Sequence, residues 1–132
     1  MIVAAIVLVQ AKSPSMIDTG MSWLKQTWAA AQKQGAPIAE AAVRKYRLEF
    51  RQIPVRVRAI TSAMARKYAS MHLQEKEALL AELWRVRSSL DLMALLDPDL
   101  LHQLTGIDAR ALASMQTSVS RLWVQAHPTV KS

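Results

Sequence analysis

The chain contains no cysteine, which excludes a disulfide framework, a thiolate metal site and a cysteine nucleophile. Glycine is nearly missing, at three residues in 132, and no glycine-rich phosphate loop occurs. Aromatic residues make up 5% of the chain, so the residue types that favour strands are scarce. Acidic residues number only 10, and no two are spaced as an acid–base pair. His72, His102 and His127 have no second ligand three or four residues away, and they read as surface or capping residues. The serines fall within helical patterns and form no nucleophile elbow. These absences argue against an enzyme and leave a protein that works by binding.

What is present is apolar and helix-forming. Hydrophobic residues reach 52%, which excludes a disordered chain, and 132 residues suit one domain. Ala, Leu, Arg, Gln and Met dominate, and all favour helix. Positive charge is concentrated in one place. Arg44, Lys45, Arg47, Arg51, Arg56, Arg58, Arg66 and Lys67 face only Glu49, so this segment alone carries the net +7 of the protein. Such a zone predicts an acidic partner, whether nucleic acid, anionic lipid or protein; the alternative is a solvated helix surface.

Residues 1–11 (MIVAAIVLVQA) are apolar but too short to span a bilayer, which takes roughly 20 residues. They lack the basic start of a signal peptide and the arginines of a transit peptide. They read as an anchor onto a partner or a membrane face, or as an added core element, with Ser13-Pro14-Ser15 breaking the chain after them. A first helix is expected over 16–34, with Met21, Leu24, Trp28 and Ala31 on one stripe. Gly35 ends it, and Pro37 suits the first turn of the next helix. That second helix, over 37–52, aligns Ala39, Val43, Tyr46 and Phe50 on one face and Arg44, Arg47 and Arg51 beside it. Pro54 predicts a break after Ile53. A third helix over 55–71 points Val57, Ile60, Met64, Tyr68 and Met71 inward, and a fourth over 73–96 carries Leu79, Leu83, Val86, Leu90 and Met93 as a bundle seam. Asp97-Pro98-Asp99 signals another helix start, closed by Gly106. Asp108 caps a last helix with Leu112, Met115, Val119, Leu122 and Ala126 inward, ended by Pro128, and Ile107 is placed to staple onto Leu112. Trp23, Trp28, Trp84 and Trp123 read as core or interface anchors. Together with the leucines they offer more apolar surface than one small bundle needs, which suggests burial against neighbours.

The stretch Lys45-Tyr46-Arg47-Leu48-Glu49-Phe50-Arg51-Gln52-Ile53-Pro54 resembles the LYR-motif family of small mitochondrial helical proteins. Tyr46, Arg47, Arg51 and the following proline match that pattern, Lys45 stands where the family has leucine, and Tyr68 takes the place of its second-helix phenylalanine. The resemblance spans about residues 37–96 and is nearest to the LYR accessory subunit of respiratory complex I. It implies an all-α fold, a three-helix core with extra N- and C-terminal helices. The segments are then an extension and linker at 1–15, a first helix at 16–36, the core at 37–96, a helical segment at 97–127 and a tail at 128–132. It also implies a non-catalytic subunit on the matrix side of the inner mitochondrial membrane that docks acyl carrier protein. Arg44, Lys45, Tyr46, Arg47, Arg51 and Tyr68 would form the partner site. The chain would have no cofactor of its own, and an acyl-phosphopantetheine borne by the carrier would enter the interior between the second, third and fourth helices. A shorter stretch, Trp84-Arg85-Val86-Arg87-Ser88-Ser89-Leu90-Asp91-Leu92, is similar to part of a small matrix-side helical subunit of the cytochrome bc complex. That subunit and a basic nucleic-acid-binding module are the competing expectations, although no reader motif for nucleic acid is visible.

Overall fold

The computed structural model describes residues 14–126, and these fold into an all-helical bundle. Its helices are α1 (Pro14–Gln34), α2 (Ala36–Lys45), α3 (Arg47–Arg51), α4 (Ile53–Lys67), α5 (Leu73–Met93), α6 (Pro98–Thr105) and α7 (Ala109–Ala126), with a 3-10 turn at Tyr68–Ser70. The apolar run at 1–11, His127, Pro128 and the tail lie outside the described residues.

The middle of the molecule is α5. Leu79, Leu83, Val86, Leu90 and Met93 are all buried, so the expected seam is the seam observed. It packs against α1, α2, α4 and α7, while α6 packs on α3. The other helices contribute Leu24, Ala39, Val43, Phe50, Ile53, Ile60, Met64, Leu101, Val119 and Leu122 to the same core. All four tryptophans are partly buried against this core, so within the chain they serve as anchors of its own packing. The large apolar residues left exposed are Leu48, Val55, Leu73, Leu95 and Val124.

Local chemistry sets the helix ends. Gly35 takes φ 79 between α1 and α2, a left-handed value that residues with a Cβ avoid, and its N–H closes α1 on the Ala31 carbonyl at 2.8 Å. The Asp97 carboxylate accepts from the N–H groups of Asp99 and Leu100, capping α6 as expected. Gly106 ends α6 at φ 76, donating to the His102 carbonyl. Asp108 caps α7 by accepting from the Ala111 N–H at 2.7 Å. Ile107 and Leu112 are both buried in the common core.

Four expected boundaries are corrected. The expected core at 37–96 consists of four α-helices and a 3-10 turn in place of three helices. The helix expected over 37–52 is interrupted at Tyr46, whose φ of −110 and ψ of 35 lie outside the helical region. Its N–H closes α2 on the Ala42 carbonyl, and its own carbonyl opens α3 by accepting from Glu49 and Phe50. No glycine or proline causes this break; it coincides with the stacking of the Tyr46 ring on Trp23 of α1. The break near Pro54 falls at Gln52, before Ile53, because a proline in the first turn of a helix removes an N–H that has no partner there anyway. That helix stops at Lys67 and that of 73–96 at Met93, each passing into tighter turns. Pro14 likewise starts α1 and does not break the chain, and Gly20 lies inside it.

Candidate functional site

The basic run does not form one surface. The break at Tyr46 divides it, and packing then treats its members differently.

The first group sits around the break. Tyr46 is half-buried, with its ring stacked on the Trp23 indole at a centroid distance of 3.8 Å and an interplanar angle of 15°. Phe50 meets the same indole edge-on and is buried at 1% exposure. This aromatic trio ties α1 to the turn and to α3. Around it, Arg44 is exposed and pairs with Glu40 one turn earlier at 3.1 Å. The Lys45 ammonium lies 5.4 Å from the Tyr46 ring centroid. Arg47 is exposed, and among the described residues it makes no ion pair. Leu48 beside it is 70% exposed. These residues, with Glu49, line a shallow surface hollow of about 360 Å³. A second hollow, of about 440 Å³, lies between α1 and α2 and shares Lys45 and Tyr46 as a wall. The arrangement presents cations and an exposed apolar side chain on a rigid aromatic base.

The second group is drawn into the structure. Arg51 was expected in a stripe with Arg44 and Arg47, but the broken helix turns it toward α6. There its Nε donates to the Leu104 carbonyl at 3.3 Å. That carbonyl is among the last of α6, where a cation also meets the negative end of the helix dipole. Arg56 reaches α5 and forms a two-pronged pair with Glu82, at 2.7 Å from Nε and 2.6 Å from Nη2. The Glu82 carboxylate is buried at 3% exposure. Arg85, one turn along α5, approaches the same carboxylate at 3.5 Å, within reach of attraction but without an aligned hydrogen bond. Burial pushes the Arg85 pKa below its ordinary value, Glu82 pulls it back up and Arg56 lowers it further. A guanidinium still stays charged under such shifts.

Tyr68 does not join the site. It lies in the 3-10 turn beyond the far end of α4, ~22 Å along the helix from Ile53 at about 1.5 Å per residue. There the Lys76 ammonium stands 5.1 Å from its ring centroid. The interior expected to admit an acyl chain is filled by Phe50, Ile53, Ile60, Leu79, Leu83 and Leu90, each nearly inaccessible to solvent.

Sequence reasoning missed the Arg56–Glu82–Arg85 cluster, yet a signal was present. Glu82 falls three residues after Leu79 and four before Val86, in the apolar seam of α5. A carboxylate on that face requires a cationic partner from a neighbouring helix. Arg56, four residues before the inward Ile60, was in place to supply it.

Among the described residues there is no group of three or more His, Asp or Glu side chains that could hold a metal ion. None of the described helices is long and apolar enough to cross a membrane. The fold and the surface around Tyr46 define a class, a small helical bundle with an exposed cationic turn. The chain matches no family model, no curated protein and no solved structure.

Proposed function

We propose that this protein is a non-catalytic helical adaptor that docks an acidic partner on the turn between α2 and α3. The observation that carries the reading is the exposed Arg47, without an ion pair among the described residues, next to the exposed Leu48 and flanked by Arg44 and Lys45. Unpaired cations steer an acidic surface into encounter and then form charge-assisted hydrogen bonds, while the apolar side chain adds buried area at the contact. The Trp23–Tyr46 stack holds the turn in place, so little conformational entropy is lost on binding.

The resemblance of Tyr46-Arg47 and Arg51 to the LYR pattern extends this reading to a specific partner. The acidic partner would be acyl carrier protein, bringing its own acyl-phosphopantetheine. The adaptor would be an accessory subunit of a mitochondrial respiratory complex, complex I by the run of the motif, on the matrix side of the inner membrane. In this reading Arg44, Lys45, Arg47 and Leu48 contact the carrier, Tyr46 positions them, and Arg51 holds α6 against α3.

The test is direct binding of purified acyl carrier protein to the full chain and to the double variant Arg44→Glu, Arg47→Glu. The variant is expected to lose binding while its helical circular dichroism is unchanged. Unaltered binding in the variant would sink the reading. Recovery of respiratory-chain subunits with the tagged protein from mitochondria would identify the parent complex.

A further inference from the structure

A second feature lies inside the bundle and does not rest on the docking surface. Between α1, α3, α4 and α5 there is a cavity of about 320 Å³. Trp23, Leu24 and Phe50 form its apolar walls, and Arg56 and Arg85 its cationic side. This volume is at the lower end of the range for small-molecule sites, roughly 300–1,000 Å³.

The cluster is one negative charge short. Two guanidiniums share the single carboxylate of Glu82, and Arg56 already engages both of its oxygens. Arg85 is left with Nε and Nη2 buried and without a hydrogen-bond acceptor. Unsatisfied buried donors on a charged group are costly, and native structures rarely leave them so. Glu49, on the cavity wall, makes no ion pair with either arginine among the described residues.

We propose that this cavity binds a small monocarboxylate with an apolar body, its carboxylate held by the Arg85 guanidinium and its body lying against Trp23, Leu24 and Phe50. The planar fork of arginine matches the two oxygens of a carboxylate. A single negative charge balances the single surplus positive charge of the Arg56–Glu82–Arg85 cluster. The apolar walls favour an acid with an aryl or short alkyl body over inorganic phosphate, which has no apolar surface to bury.

Isothermal titration calorimetry of the full chain with benzoate, phenylacetate, benzamide and inorganic phosphate tests this. Benzoate or phenylacetate is expected to bind saturably with a dissociation constant below about 1 mM. Benzamide and phosphate are expected to bind at least about tenfold more weakly, since a charge-assisted hydrogen bond or the buried body is lost. Arg85→Met should weaken carboxylate binding about ten- to hundredfold, and Arg85→Lys, which keeps the charge but loses the fork, should fall between. Glu49→Gln, which removes a competing carboxylate from the cavity wall, should tighten binding at low salt. Should Arg85→Met fail to fold, the comparison of benzoate with benzamide on the unaltered chain still decides. Equal binding of acid and amide, equal binding of phosphate, or no saturable binding by either acid overturns the proposal. Retained affinity in folded Arg85→Met does the same.

Discussion

Arg47 and Arg56 belong to the same basic run, but the molecule uses them in opposite ways. Arg47 stands at the surface beside exposed Leu48 and leaves its charge available. Arg56 is folded inward onto Glu82, and its charge holds α4 to α5. The difference comes from what faces each residue. Arg47 follows the break at Tyr46, where no carboxylate approaches, whereas Arg56 lies opposite a buried carboxylate that no water can solvate. Equal residue types in one charge run therefore divide into a binding group and a structural group. A charge count alone overstates how much of the net +7 is available to a partner.

Substitutions can break this contrast, beginning with the buried side. Glu82→Ala leaves Arg56 and Arg85 facing each other without a counter-charge, and should cost about 3–5 kcal/mol of stability in urea unfolding. A loss smaller than about 1 kcal/mol would show that the cluster is well solvated and the contrast unreal. Tyr46→Ala removes the stack on Trp23, which should cost about 0.5–1.5 kcal/mol beyond the loss of buried area and reduce the near-ultraviolet circular dichroism of the tryptophans. It should also weaken partner binding, because the turn that carries Arg47 is no longer held. Asp97→Ala, at the cap of α6, should cost about 1 kcal/mol. Because α6 packs on α3 and is capped by Arg51, its loosening should be felt at the cationic turn as a modest loss of partner affinity.

The smallest effect on folding is expected at the exposed end. Arg47→Ala should change stability by less than about 0.5 kcal/mol, and breaking the Arg44–Glu40 pair with Arg44→Ala should cost about 0.3–0.5 kcal/mol. The same substitutions should lower partner affinity in a salt-dependent way, so a comparison at two ionic strengths sharpens the distinction. A cost to stability as large as that of Glu82→Ala would place Arg47 with the structural group.

Much of the fold was legible residue by residue. The seam of α5 follows from leucines, valine and methionine recurring every three or four positions. The start of α6 follows from Asp97-Pro98, its end from Gly106 and the start of α7 from Asp108, because capping depends on a side chain and its immediate backbone. The candidate site was legible in part. Arg44, Lys45, Tyr46 and Arg47 do gather at one place, but Arg51 turns to α6 and Tyr68 lies beyond the far end of α4. Periodicity placed Arg51 on a stripe by assuming an unbroken helix, and that assumption failed at Tyr46.

The amino-acid sequence by itself determined the helices, most of their ends and the faces they bury. These depend on spacing and on neighbours within four residues. Tertiary structure alone decided where the helix breaks at Tyr46, which arginines remain free and where a cavity with unsatisfied donors is left. Those outcomes depend on Trp23 meeting Tyr46 and on Glu82 meeting Arg56, contacts between residues remote in sequence. A buried charge or an aromatic ring gains more from such a contact than a helix loses by bending.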